Sequence, residues 1–394
     1  MPRFTIPRDI YFGRGSIEAL KTLEGKKAFI VIGGGSAKKS GLLDKATGFL
    51  KEAKFATCLF EGVEPDPSVE TVRKGAKAME EFGPDWVVAI GGGSVIDAAK
   101  SMWVLYEHPD ADIYNIHPFN MPPLRNKARF ISIPTTSGTA SEVTEVSVLC
   151  DVRTGIKFGV AGLDLVPDAA IVDPDAAASM PQEVIANTGL DAMAHAIESF
   201  VANFASPFSE AQSLYSAKMV FDALPAAYAG DPDAREKMHY AQCLAGLAFS
   251  NSMLGLCHAI VDFTGGMFDS GHIPHGLNNA LFMPYTIQFN SKLPEVKAKY
   301  AALARYIGIE GSSDDELAAG LAEKARELAS SLGIPKSLKE YGIPEDEWNA
   351  KSPGLAENML NAQGGPILGN PRKIDAETIY KFLNCLYEGA DVDF

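Results

Sequence analysis

Residues 85–102 read Asp-Trp-Val-Val-Ala-Ile-Gly-Gly-Gly-Ser-Val-Ile-Asp-Ala-Ala-Lys-Ser-Met. Asp85–Ile90 is a short apolar run of strand length, and it ends on Gly91-Gly92-Gly93-Ser94. Beyond the glycines, Val95, Ala98, Ala99 and Met102 recur at helical spacing. Upstream, Lys27–Ile32 repeats the strand and runs into a second Gly-Gly-Gly-Ser, at 33–36. Ser68–Phe82 carries Val72, Ala76 and Met79 on one helical face, and further strand-like runs follow at 128–133, 146–150 and 169–172. Strands alternating with helices imply a mostly parallel α/β sheet.

From about Met180 the texture changes. Ala-, Leu-, Met- and Glu-rich helical segments dominate at 181–201, 207–223, 234–249, 294–307, 314–332 and 376–388, and strand signals become rare. The expected organisation is therefore an α/β domain over residues 1–179 and an all-α domain over 180–394. A chain of 394 residues with 46% apolar content has material for two cores. Its net charge of -15 argues against nucleic acid or an anionic membrane as partner, since both would repel it. No run approaches the roughly 18 consecutive apolar residues of a membrane span. Met1–Thr5 lacks the basic-then-apolar pattern of a secretion signal. The five cysteines form no CxxC pair, as free thiols in a reducing compartment would. A cytoplasmic protein is expected.

The two glycine turns are the first candidates for function. Glycine turns sharply and lets a phosphate approach the backbone, and a following helix presents unpaired N–H groups to an anion. Either turn alone is as readily a tight connection as a binding loop. Two of them after strands of one domain favour phosphate, although neither fits the spaced Gly-x-Gly-x-x-Gly fingerprint. A third polar loop, Pro134-Thr135-Thr136-Ser137-Gly138-Thr139-Ala140-Ser141-Glu142, follows another strand and carries groups able to bond ribose, phosphate or a carboxamide.

Only seven histidines occur, so their placement is informative. Asp191 and His195 are four apart, which on a helix puts both on one face. His258 lies in the apolar stretch Leu254–Val261, and His275 lies between Pro274 and Gly276. Three imidazoles and a carboxylate suit a divalent first-row metal. Spacing by itself also permits a surface Asp/His hydrogen bond and a histidine satisfied inside the core. His108, His117 and His239 receive no role.

Taken together, GGGSVIDAAKSMWVLYEHP (91–109), PTTSGTASEVT (134–144), PDAAIVDP (167–174), TGLDAMAHAIESFV (188–201), HIPHGLNNAL (272–281) and NPR (370–372) resemble the iron-containing alcohol dehydrogenase family. The likeness is strongest to the alcohol dehydrogenase half of bifunctional aldehyde-alcohol dehydrogenases, and it runs along essentially the whole chain. It implies a dehydroquinate synthase-like architecture, with a dinucleotide-binding domain, a helical domain and an active site in the cleft between them. It further implies hydride transfer between NAD(P) and a small primary alcohol or aldehyde, with the metal as Lewis acid. Asp191, His195, His258 and His275 would bind Fe2+, or Zn2+ in its place. Gly91, Gly92, Gly93 and Ser94 would hold the pyrophosphate. Asp97, Thr135, Thr136 and Ser141 would line the cofactor, with Lys157 nearby. A homodimer or larger homo-oligomer is implied too.

Three departures bear on the site. His275 follows His258 at a longer interval than the family usual, and the usual interval lands on His272. The Pro-His-Gly context favours His275, with His272 as rival. Where the family often carries a histidine four residues after His258, this chain has Asp262. Asp262 and His272 are thus the candidates for carrying the proton. Lastly, family members that prefer NAD often carry an acidic residue where Gly33 stands. Gly33, Gly34, Gly35 and Ser36 followed by Lys38 and Lys39 suit a 2′-phosphate, so NADP is favoured over NAD. Phe263, Met267 and Phe268 suggest an apolar pocket wall fitting a short aliphatic aldehyde. The alternatives are a polyol, hydroxy-acid or maleylacetate-type reductase on the same fold and, more distantly, a dehydroquinate synthase-like lyase or a non-catalytic nucleotide-binding protein.

Overall fold

The computed structural model describes residues 3–153, 156–362 and 364–394. The chain divides into two compact units, Met1–Pro181 and Gln182–Phe394.

The first unit contains strands β1 (Asp9–Phe12), β2 (Lys27–Gly33), β3 (Ala56–Val63), β4 (Trp86–Gly91), β5 (Arg129–Pro134), β6 (Val146–Asp151), β7 (Ile156–Ala161) and β8 (Ala169–Val172). Its helices are α1 (Ser36–Lys39), α2 (Leu42–Glu52), α3 (Val69–Phe82), α4 (Gly93–Glu107) and α5 (Pro174–Ala177). Six strands form a parallel sheet in the order β1-β8-β5-β4-β2-β3. The central strands are apolar throughout because both faces are covered. Phe29, Val31, Val87 and Ala89 join the core beneath α3 and α4. Ala28, Ile30, Ile32, Val88 and Ile90 join the opposite core, with α2 and the 3-10 turn Ser16–Thr22. α4 is buried along its length apart from Ser94. The run at 146–150 leaves this sheet. As β6 it pairs antiparallel with β7, Val146 opposite Ala161. β3 went unanticipated because this edge strand leaves most of its residues solvent-exposed or half-exposed, which dilutes any apolar pattern.

The second unit is helical, with no strand among its described residues: α6 (Gln182–Val201), α7 (Pro207–Tyr228), α8 (Pro232–Ser252), α9 (Leu256–Thr264), α10 (His275–Asn290), α11 (Pro294–Tyr306), α12 (Asp314–Ser331), α13 (Leu338–Tyr341), α14 (Glu345–Asn361) and α15 (Thr378–Glu388). Several start on legible caps. Ser206 with Ser209 closes a capping box ahead of Pro207, Asp231 caps α8 ahead of Pro232, and Ser313 caps α12. α6 packs against α7, α8 and α10, and α10 packs against α9 and α12. Among the described residues no single helix is long and apolar enough to cross a membrane.

Candidate functional site

In the helical unit, α6 presents Asp191 and His195 one turn apart, α9 contributes His258 from its first turn, and α10 begins with His275. Three imidazole Nε2 atoms converge on one oxygen. Asp191 Oδ1 lies 3.7 Å from His195, 3.5 Å from His258 and 3.7 Å from His275. These separations are too long for good hydrogen bonds. Ligand atoms of the buried residues Asp191, His195 and His258 all lie within 4.8 Å of one another. The His195 and His258 rings stack 4.6 Å apart, and His275 remains partly exposed.

The geometry separates His275 from its rival. His272 is exposed on the preceding loop, where its carbonyl accepts a hydrogen bond from the Tyr341 hydroxyl at 3.3 Å. His275 is aimed by its neighbours. Pro274 is the N-cap of α10, and a Cβ on Gly276 would lie 1.7 Å from the Asn187 carbonyl oxygen. Only glycine lets α10 begin so close to α6. Asp262 is exposed, one turn beyond His258 on α9. Phe268, expected at a pocket wall, is buried beside Trp348, with ring centres 6.3 Å apart.

Two partners of the cluster were missed by the sequence reading. Glu198 Oε2 lies 2.6 Å from His258 Nδ1, and Asn279 Nδ2 donates to Asp191 Oδ1 at 2.9 Å. Both had a local signal. Glu198 shares the α6 face of Asp191 and His195, and Asn279 follows His275 by one turn. Burial would drive His258 towards neutrality, but Asp191 and Glu198 outweigh it and hold its pKa up at about 10. Burial likewise opposes charge on Asp191, yet His195, His258 and His275 keep its carboxyl well below the usual range. The pocket therefore favours positive charge. The Asp191, His195 and His258 donors at these separations fit a divalent cation with bonds of about 2.1 Å, and His275 Nε2 faces the same Asp191 oxygen.

In the α/β unit, both glycine turns leave the carboxyl ends of adjacent strands, with Ile32 of β2 opposite Ile90 of β4. From β2 the chain continues outward to β3, while β4 is followed in the other direction by β5 and β8. The strand order thus reverses between β2 and β4, and such a switch point is where open α/β sheets bind ligands. The polar loop joins the second turn because β5 neighbours β4. Thr135 N–H donates to the Gly91 carbonyl at 2.9 Å, and Thr136 sits against Gly92. Ser94 lies in the first turn of α4.

Other expected cofactor contacts are already engaged within the protein. Asp97 Oδ2 accepts the Val148 N–H at 3.0 Å, and burial pushes its pKa up to about 6 against the pull of Lys100. Ser141 opens a 3-10 turn, with its hydroxyl 3.4 Å from that of Thr139. Lys157 Nζ is 2.7 Å from Asp66 Oδ1, and Lys38 is paired with Glu61. Lys39 is exposed. Gly33, Gly34, Gly35 and Ser36 lead only into α1, a single turn of four residues, so the helix-dipole argument does not hold there. Lys100 was overlooked entirely. It is fully buried and donates to the Thr144 carbonyl at 2.6 Å, the Thr144 hydroxyl at 3.1 Å and the Val146 carbonyl at 3.0 Å.

Comparison with known proteins agrees with both halves. Residues 7–174 match the family model described as iron-containing alcohol dehydrogenase, and residues 185–387 match that of the Fe-containing alcohol dehydrogenase family, C-terminal. The chain is 50% identical to NADPH-dependent butanol dehydrogenase of Clostridium saccharobutylicum, with 100% of each covered. It is 36% identical to the bifunctional aldehyde-alcohol dehydrogenase of Escherichia coli K12, matching 95% of this chain and 46% of that one. The solved iron-containing alcohol dehydrogenase of Thermococcus thioreducens superposes with a TM-score of 0.89 at 36% identity, covering 98% of this chain and 100% of that one. The chain belongs to the iron-containing alcohol dehydrogenase family, and is an enzyme of NAD(P)-dependent alcohol oxidoreduction.

Proposed function

We propose that this enzyme interconverts short aliphatic aldehydes and primary alcohols with NADPH, using a divalent iron (or zinc) held by Asp191, His195, His258 and His275. The observation that carries this reading is the convergence of three Nε2 atoms on Asp191 Oδ1. When bound, such a cation supplies Lewis acidity to a substrate C–O group. The chain's own residues do the rest. Asp191 contributes the compensating negative charge, and Asn279 fixes the carboxylate by donating to Oδ1. Burial of Asp191, His195 and His258 keeps their side of the site dry. Asp262 and His272, both exposed and near the ligands in sequence, are the groups assigned to pass a proton to solvent.

Gly91, Gly92, Gly93 and Ser94, ahead of α4, are assigned to the pyrophosphate, with Thr135, Thr136 and Ser141 beside the cofactor. Gly33 leaves no carboxylate to repel a 2′-phosphate. Since Lys38 is paired with Glu61, Lys39 is the cation assigned to that phosphate. The Clostridium relative's use of NADPH and butanol supports both the cofactor and the substrate class. Five free cysteines suit a cytoplasmic location, and the family resemblance suits a homodimer or larger homo-oligomer.

The test is oxidation of NADPH and NADH with butanal on anaerobically purified enzyme, before and after chelation and refilling with Fe(II) or Zn(II). Turnover lost with the metal and regained on refilling is expected, with NADPH the faster cofactor. Lys39→Ala should raise the KM for NADPH and leave that for NADH unchanged. Turnover indifferent to chelation would overturn the ligand assignment.

A further inference from the structure

The Asn-Pro-Arg segment at 370–372 has no part in the ligand reading, yet it reaches the same helix. α9 starts after Gly255, which has no side chain to cap it. Its first amides are capped from two distant places. Leu256 N–H donates to Asn370 Oδ1 at 3.0 Å, and Cys257 N–H donates to Glu198 Oε1 at 2.7 Å. The other Glu198 oxygen faces His258 Nδ1. Glu198 is 2% exposed and Asn370 4%. A Cβ on Gly255 would lie 2.8 Å from Asn370 Oδ1 and 2.9 Å from Glu198 Oε1, so glycine here makes room for both caps.

Each cap is itself held. Asn370 and Asn290 exchange amide hydrogen bonds at 3.0 Å in both directions, and Asn370 Nδ2 also donates to the Arg372 carbonyl at 2.6 Å. Arg372 in turn donates to the Phe289 and Phe394 carbonyls, with its guanidinium 3.9 Å from the Phe289 ring centre. Glu198 rides on α6, the helix that supplies Asp191 and His195. One rigid helix thus carries two of the ligands and the carboxylate that orients the third.

We propose that Glu198 and Asn370 form one positioning clamp on α9, fixing the first turn of the helix and the imidazole of His258, and so set how tightly the site holds its metal. The inference rests on His258 being a ligand. A capped helix end satisfies its amides whatever the imidazole does, but a carboxylate on Nδ1 also fixes the tautomer that leaves Nε2 able to bind a metal.

The experiment is competition between the full-length apo-enzyme and a chromophoric chelator for Zn(II), alongside thermal unfolding and NADPH binding. Glu198→Gln keeps an acceptor for Cys257 N–H but can place an amide donor against Nδ1. It should raise the Zn(II) Kd about 10- to 100-fold while NADPH affinity stays unchanged. Asn370→Ala should raise it less, and the double variant by less than the product of the two, as coupled residues do. Glu198→Gln binding Zn(II) as tightly as the wild type, while His258→Ala loses it, overturns the clamp and leaves the ligand assignment standing. Retention by His258→Ala overturns the ligand assignment itself. If Glu198→Gln fails to fold, Asn370→Asp and Asn370→Ala decide. Asn370→Asp keeps the acceptor for Leu256 N–H, so Zn(II) affinity near wild type in that variant beside weakened affinity in folded Asn370→Ala supports the clamp, and an unchanged Kd in folded Asn370→Ala overturns it.

Discussion

At Gly91–Ser94 the chain leaves β4 and enters a helix of 15 residues buried nearly throughout, whereas at Gly33–Ser36 it leaves β2 and enters a helix of four. The four letters are the same. In the second turn the protein itself fills the space where side chains would go. A Cβ on Gly91 would sit 2.5 Å from Val95 Cβ, and one on Gly93 2.8 Å from Thr139 Oγ1. In the first turn Gly34 and Gly35 face nothing within 4 Å. A glycine crowded by its own chain is required by packing. Gly35 is still required by its φ of +112°, whereas Gly34, facing open space without that constraint, is spare unless something outside the chain comes there. The helix after the second turn is also tethered, since Asp97, Lys100 and Ser101 bond the start of β6. α1 is linked to β3 by the exposed pair of Lys38 and Glu61.

The largest effect expected from breaking this tether is that of Lys100→Met, which leaves buried carbonyls unbonded and Asp97 without its cation. A loss of about 3 kcal/mol at neutral pH is expected in urea unfolding. The pH profile sharpens the case. Burial lowers the Lys100 pKa from 10.5 to about 8, against the pull of Asp97, Glu142 and Glu145. Between those values the unfolded chain binds more protons, so wild-type stability should rise with pH there. The Asp97 pKa is raised from 3.8 to about 6, so its contribution falls as pH rises through that window. Lys100→Met should abolish the alkaline rise; a variant that keeps it shows that another group titrates.

Next is Gly91→Ala, where overlap with Val95 should cost about 2 kcal/mol and weaken NADPH binding at least severalfold. Equal stability would mean that the turn relaxes and that the two turns do not differ in kind. Gly35→Ala is smaller. Its φ of +112° is strained for a side chain, and about 1 kcal/mol should be lost by the same assay. Gly34→Ala is the smallest, within about 0.5 kcal/mol of wild type. Titration with NADPH then decides what that space is for. Weaker binding at unchanged stability assigns it to the cofactor, and no change in either removes the first turn from the site.

Much of the fold was legible. Uninterrupted apolar runs such as Trp86–Ile90 and capped helices such as those after Ser206 and Asp231 are local patterns, and the elements formed where those patterns lie. Edge and hairpin strands were less so, because β3 is largely exposed and β6 looks locally like any sheet strand. In the site, Asp191 with His195 was visible as a spacing, and so was the face they share with Glu198. Lys100 read only as a polar break in an apolar helix, because its three acceptors lie more than forty residues away in sequence.

The sequence by itself determined the alternation of strand and helix, the change to all-helical structure, the glycine turns and the kinds of donor available to a metal. These follow from short-range periodicity and side-chain chemistry. The tertiary structure alone decided that β2 and β4 are neighbours at a switch in strand order, that His275 rather than His272 faces Asp191, that Lys38 is taken by Glu61, and that Asn370 caps the helix of His258. Each of these joins groups distant in sequence or chooses between near neighbours. Nothing in a local pattern records which surfaces will be pressed together when the apolar faces are buried.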